Sequence, residues 1–269
     1  MMKLPTYNTQ KQKLHEVELP TQFQEAYRPD LIRRAVHALQ SAARQPYGAS
    51  TEAGFRHSSR VSKRRRNYRG CYGFGISRVN RKILSRRGTR MFWVGAFSPQ
   101  TVGGRRSHPP KQIKLLEKQI NQKENQKAIR SAMSATLNKE VVTLRGHSLP
   151  VEYPFVVDAS VENVAKTKEF EDLLQKLGFA PELEKSLVKK IRAGLATMRG
   201  RKYKRRKSIL VVVSADCPLI KAAQNVPGID IVVARDLNAE VLAPGALAGR
   251  VTLWTEKALE TIKKDKLFA

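Results

Sequence analysis

Few side chains in this sequence have the type and spacing that chemistry needs. Its five histidines, His15, His37, His57, His108 and His147, are scattered without metal-ligand spacing. His37 falls on a helical pattern and reads as a surface or packing residue. His57, His108 and His147 lie near arginines, where RNA contact stands against plain exposure. The two cysteines, Cys71 and Cys217, exclude a disulfide framework and a multi-cysteine zinc site. Cys71 lacks a base partner nearby and is a weak nucleophile; Cys217, before Pro218, reads as a small core residue. Asp158 and Asp216 each follow a predicted strand, where α/β proteins place ligands. Two carboxylates there could bind a metal, but capping or turn formation is the plainer reading.

Nucleotide motifs are also missing. No Gly-Lys pair exists, so there is no phosphate-binding P-loop. The cluster Gly70-Cys71-Tyr72-Gly73-Phe74-Gly75 gives Gly73-x-Gly75-x-x-Arg78, which lacks a third glycine and a preceding buried strand. Flexible backbone beside phosphate explains it better. Neither H-E-x-x-H nor G-x-S-x-G occurs. The expectation is a non-enzyme with no cofactor and no metal.

Charge supplies what the motifs do not. Among 269 residues, 51 Lys and Arg face 23 Asp and Glu, a net charge of +28 that makes a polyanion the expected partner. Between Arg44 and Lys111 stand 17 basic residues and one acid, Glu52; seven of the nine residues 199–207 are basic. Charge gathered into two stretches predicts two contact surfaces. Residues 151–186, with eight acids and four lysines, predict a face turned to solvent or protein. No apolar run approaches a membrane span and the polar start is no signal peptide, so a soluble intracellular chain is expected.

The elements that must position these charges are legible on both sides of the first stretch. Residues 28–43 carry apolar positions at helical spacing, with Pro29 and Asp30 suited to a first turn. Pro109-Pro110 is read as opening a long amphipathic helix through Ile113, Leu116, Ile120, Ile129, Met133 and Leu137. Strands are predicted at 154–159, 208–215, 229–234 and 250–255, with a weaker one near the start. Helices fall between them and a final helix is capped by Thr255. This predicts an α/β fold: a mostly parallel sheet flanked by helices, Rossmann-like in layout but without a nucleotide site. Residues 1–43 and 111–269 would form one α/β domain, and 44–110 an extended insertion.

That insertion shows no sustained period of 3.6 or 2, yet holds nine of the 16 glycines and eight of the 18 aromatics. Arginine pairs with phosphate and stacks on bases, aromatics stack, and glycine lets backbone approach a groove. The candidate RNA contacts are Arg56, Arg60, Lys63, Arg64, Arg65, Arg66 and Arg69, then Arg78, Arg81, Lys82, Arg86, Arg87 and Arg90. Stacking or tip roles fall to Tyr68, Gly70, Tyr72, Gly73, Phe74, Gly75, Phe92 and Trp93. The run at 199–207 has a rival reading as a nuclear-localisation patch. Its place before a strand favours a loop presenting Arg199, Arg201, Lys202, Lys204, Arg205 and Arg206 to phosphates.

The stretches RPDLIRRAV (28–36), GGRRSHPPK (103–111), RSAMSATLN (130–138), RGH (145–147), IRAGLATMRGRKYK (191–204), NAEVLAPG (238–245) and GRVTLWTEKAL (249–259) resemble the large-subunit ribosomal protein L-four family. The likeness is to its archaeal and eukaryotic form, sometimes called L-one-e. The resemblance implies a structural constituent of the large subunit, cytoplasmic and in the ribosome. Its partners would be large-subunit ribosomal RNA, neighbouring ribosomal proteins and the nascent polypeptide, with no homo-oligomer. It implies an α/β domain on the subunit surface and an internal loop reaching the peptide exit tunnel. Carried over by position, Arg60–Arg106 is that loop, with Arg105, Arg106 and His108 at its exit. Arg145, His147, Arg192 and Arg199–Lys204 match basic motifs of the domain. Here the loop carries an unusual share of arginine and aromatics, leaving Gly70–Arg78 and Arg86–Arg90 both candidates for the tunnel wall. Ala196 replaces an expected glycine. Alternatives are a regulatory RNA- or DNA-binding protein outside the ribosome, or a metal-dependent nucleic-acid enzyme using Asp158 and Asp216.

Overall fold

The computed structural model describes residues 2–68, 70–88 and 90–269. Its strands are β1 (Lys3–Tyr7), β2 (Lys13–Glu18), β3 (Arg81–Arg87), β4 (Arg90–Gly95), β5 (Val156–Val157), β6 (Lys190–Ile191), β7 (Tyr203–Lys204), β8 (Leu210–Val213), β9 (Asp230–Val233) and β10 (Thr252–Thr255). Its helices are α1 (Pro29–Ala42), α2 (Gln122–Leu137), α3 (Lys139–Leu144), α4 (Thr167–Lys176), α5 (Ala180–Leu187), α6 (Leu195–Met198), α7 (Pro218–Ala223), α8 (Ala239–Leu242) and α9 (Glu256–Lys264). The chain divides into two compact units, Met1–Ala43 with Glu117–Ala269, and Arg44–Leu116.

The first unit is built on a six-stranded sheet ordered β2-β1-β5-β10-β8-β9, in which only β1 and β2 pair antiparallel. Side chains alternate across a strand, and β8 is apolar at every position because helices cover both faces. Leu210 and Val212 join a core with Ile32 and Val36 of α1, Met133 of α2 and Leu259 of α9. Val211 and Val213 join the opposite core with Phe170 and Leu174 of α4 and Leu219 of α7. On the first face Trp254 meets Phe23 edge to face at 4.9 Å. Truncating such a core side chain to alanine costs about 2–5 kcal/mol.

Local signals set the ends of these helices as expected. Asp30 lies in the first turn of α1 with Pro29, and the Thr255 hydroxyl accepts the Ala258 N–H at the start of α9. After α4, Gly178 takes the left-handed backbone (φ +95°) that ends a helix there.

One helix is shorter than its sequence pattern predicts. The segment after Pro110 is not helical, and α2 begins only at Gln122. Ile113 and Leu115 are 85% and 91% exposed. Apolar spacing without a surface to bury against does not sustain a helix in water. Ile120 does pack on the core, and the Lys118 N–H is held by the Ser41 hydroxyl at 2.9 Å.

The second unit contains a ribbon that the residue pattern does not announce. β3 and β4 pair antiparallel from Arg81↔Gly95 to Arg87↔Arg90, with Leu84 as an extra residue where the register shifts. Gly88 sits in the turn with φ +59°, as two-residue hairpins require. Along β4, Arg90, Phe92 and Val94 are exposed while Met91 and Trp93 are half-buried. Arg81 lies over the Trp93 ring at 5.6 Å. Nearby, Phe55 and Phe97 meet edge to face at 5.0 Å, with Arg105 stacked on Phe97 at 5.4 Å. Gly104 is required there, since a Cβ would stand 2.1 Å from the Ser98 carbonyl oxygen.

Candidate nucleic-acid interface

In the second unit most of the predicted contacts face outward. Arg56, Arg60, Arg64, Arg65, Arg66, Arg78, Arg86, Arg87, Arg90, Arg106 and His108 are exposed, as are Tyr68, Tyr72, Phe74 and Phe92. Arg69 lies outside the described residues. Several cations are held in place by their own unit. Lys63 donates to the Ile76 carbonyl at 2.7 Å, Arg65 donates to the Tyr72 hydroxyl at 3.1 Å, and Arg81 donates to the Ser77 carbonyl at 2.8 Å. Lys82, Arg81 and Arg105 are half-buried. Gly73 and Gly75 both adopt positive φ, while Gly70 does not. Cys71 is buried among these turns, its N–H donated to the Ser62 carbonyl at 2.8 Å.

In the first unit, β6 and β7 pair antiparallel around α6, so residues 187–207 form a short excursion before β8. Arg192, Arg199, Arg201, Lys202, Lys204, Arg205 and Arg206 are all exposed on it. Pairing adds Lys189 and Lys190, which sequence reasoning missed. Lys190 stands opposite Lys204, and Lys189 and Lys202 lie 5.6 and 5.5 Å from the Tyr203 ring. The Lys-Lys pair before IRAG was the available signal. Exposed Ile191, Leu195, Met198 and Tyr203 lie among these cations.

Like charges placed directly opposite destabilise a strand pair. Both isolated ribbons carry such a pair, Arg87↔Arg90 and Lys190↔Lys204. Two-stranded ribbons are marginal alone in water. An anion lying along each one would turn repulsion into attraction.

Two predicted contacts are placed inward. The His147 side chain is 5% exposed and its Nδ1 lies 2.7 Å from Glu182 Oε1. Arg145 is half-buried and donates to the Pro244 carbonyl at 2.7 Å. The expectation that residues 151–186 turn their acids outward fails at two of them, Glu162 and Glu182, which are buried. Burial pushes the Glu182 carboxyl up, but hydrogen bonds from His147, the Ser148 N–H and Ser208 outweigh it and hold the group below its usual range. Neither acid carries a signal in one sequence, because its partners lie far along the chain.

At the carboxyl edge of the sheet, where such folds bind ligands, Glu162 ties β8 to β10. It accepts the Ser214 N–H at 3.0 Å, the Ser214 hydroxyl at 2.8 Å and the Thr255 hydroxyl at 2.6 Å. Asp158 accepts the Ser160 N–H at 3.2 Å and caps a 3-10 turn. Asp216 is exposed in an open cleft that also holds Arg235, Lys257 and Lys264. Cys217 is half-buried rather than a full core residue. Among the described residues no three His, Cys, Asp or Glu side chains are placed to hold a metal ion. Among them, too, no helix is long and apolar enough to cross a membrane.

Fold and site together define a class: an α/β scaffold whose potential ligand crevice is tied by its own carboxylate, bearing two strongly basic surfaces. A family model described as the Ribosomal protein L4/L1 family matches residues 17–265. The chain is 48% identical to the large ribosomal subunit protein uL4 of Nanoarchaeum equitans, covering 99% of this chain and 100% of that protein. It is 44% identical to the uL4 of Methanocaldococcus jannaschii, over 98% and 99% of the two chains. It is 43% identical to that of Archaeoglobus fulgidus, over 96% and 97%. The chain belongs to the Ribosomal protein L4/L1 family, whose members are structural proteins and not enzymes.

Proposed function

We propose that the chain is a structural constituent of the large ribosomal subunit, held in cytoplasmic ribosomes by ribosomal RNA and neighbouring ribosomal proteins. The observation that carries this reading is the pair of exposed ribbons with like cations set opposite each other, Arg87↔Arg90 and Lys190↔Lys204. Such ribbons suit phosphate backbones on both sides. In this reading unit Arg44–Leu116 enters folded RNA, its arginines on phosphates and Tyr68, Tyr72, Phe74 and Phe92 on bases. The β3–β4 turn, with Arg86, Arg87 and Arg90, lines the exit tunnel beside the nascent polypeptide. The excursion 187–207 anchors the α/β unit on the RNA surface.

The test is site-specific crosslinking from Arg87→Cys in assembled large subunits carrying a stalled nascent chain. Adducts to ribosomal RNA and to the nascent chain are expected. Adducts to neither would remove the ribbon from the tunnel wall.

A further inference from the structure

We infer that the outer edge of β9 is a docking site for an extended peptide segment of another protein, which adds to the sheet as a further strand. This gives the protein partner of the reading above a place on the fold, and rests on that reading. β9 ends the six-stranded sheet and pairs on one side only, with β8. Its Asp230 N–H donates to the Ile209 carbonyl at 3.2 Å. In a parallel ladder alternate residues turn both backbone groups to the same neighbour, so Asp230 and Val232 serve β8 while Ile231 turns outward. Among the described residues nothing outside the sheet bonds the Ile231 N–H or carbonyl.

The two edges of this sheet are finished differently. β2 carries Lys13, His15, Glu16 and Glu18, all exposed, and charge of this kind keeps an edge from pairing with another chain. β9 reads Asp230-Ile231-Val232-Val233. Its one charge is tied to Lys207 at 2.7 Å and to Arg250 at 2.6 Å, so no free charge guards the strand. An unguarded β-branched edge invites pairing unless something covers it. A groove of about 450 Å³ runs beside it, floored by Ile229, Ile231 and Val232. α7 covers one face of the sheet and α8 the other, so Gln224 at the end of α7 and Glu240 and Val241 of α8 wall the groove on both sides. At ~3.3 Å per residue the edge is ~13 Å long, room for about four partner residues.

Backbone and charge together decide the occupant. Arg205 and Arg206 are exposed beside the start of β9, where a Cβ on Gly228 would stand 2.7 Å from the Arg206 carbonyl oxygen. At the other end Arg235 follows the strand, its side chain 67% exposed. The one acid on the groove wall, Glu240, is engaged by the Gln40 amide at 3.1 Å. A segment that is β-branched in the middle and acidic at its ends fits these surroundings. A second copy of this chain, at +28, would be repelled. An RNA backbone has no row of amides and carbonyls with which to continue the ladder.

The experiment compares amide hydrogen exchange in the free full chain and in native large subunits, by mass spectrometry with fragmentation that separates Ile231 from Val232. The Ile231 amide should exchange quickly in the free chain and on the order of 100-fold more slowly in the subunit, while the Val232 amide, bonded to β8, is slow in both. Equal exchange of Ile231 in the two states refutes the site. Recovery of the chain from the subunits in the same spectra leaves the ribosomal reading intact in that case. The occupant is identified from assembled subunits carrying Gln224→Cys, an exposed change, labelled with a photoreactive benzophenone. An adduct to a peptide segment of another protein is expected. An adduct to RNA alone, to a second copy of this chain, or to nothing overturns the assignment to such a segment.

Discussion

Arg86, Arg87 and Arg90 crowd the turn of the β3–β4 ribbon, and all three are exposed. The one acid of this unit, Glu52, stands 3.8 Å from Arg56, so no carboxylate among the unit's described residues neutralises the tip. Replacing all three by glutamine keeps side-chain length and removes three charges. Each phosphate contact contributes about 0.7 (single strand) to 0.9 (duplex) to the slope of log K against log salt. The triple variant should therefore bind a large-subunit ribosomal RNA fragment with a slope shallower by about 2–3. Near ~0.15 M salt this amounts to roughly 50- to 150-fold weaker binding, converging with wild type towards ~1 M. Fluorescence anisotropy across a salt series reads both quantities. Thermal unfolding should not fall, because the tip buries nothing and the Arg87↔Arg90 repulsion is removed. An unchanged slope, or the same loss at every salt, would refute the claim that these arginines meet phosphates.

Other predictions concern the scaffold. Arg250 is 1% exposed and donates to Asp230 at 2.6 Å and to the Ser208 carbonyl at 2.7 Å. Arg250→Met should cost about 3–5 kcal/mol by leaving the Ser208, Ile209 and Val241 carbonyls without this donor, while Asp230 keeps Lys207. That lowers the melting temperature by roughly 6–20 °C at about 2–4 °C per kcal/mol, and a loss under ~1 kcal/mol in a thermal melt would contradict it. The Glu182 carboxyl is depressed in the fold. Its stabilisation is therefore present above the unfolded carboxylate range and lost as pH falls through the lower folded value. Glu182→Gln should flatten the acid limb of stability against pH, as urea titrations between about pH 5 and 3 can show. Deleting residues 60–106 should leave cooperative unfolding of the α/β unit, since neither of its cores draws on a described residue of 44–116; a broad, non-cooperative melt would show otherwise.

What the sequence disclosed depended on how local each signal was. SILVVVSA reads as a buried strand because every position is apolar, and β8 is covered on both faces. Thr255 and Gly178 mark helix ends by conformational needs of their own. The helix expected after Pro110 was a pattern without a partner surface, and there the spacing of Ile113 and Leu116 misled. The β3–β4 ribbon stayed hidden because arginines take positions on both its faces, erasing the two-residue alternation. Two carboxylates were missed for another reason. Glu182 meets His147 and Ser208, and Glu162 meets Ser214 and Thr255, pairings 26 to 93 residues apart that only the fold creates.

The account stands or falls on whether this chain is built into folded RNA. The most direct measurement is sucrose-gradient sedimentation of the native protein from its own cells, before and after a high-salt wash. Co-migration with large subunits through the wash is predicted, because a unit enclosed by folded RNA is held by more than screened surface charge. Release into the light fractions would contradict it and make the chain a peripheral RNA binder.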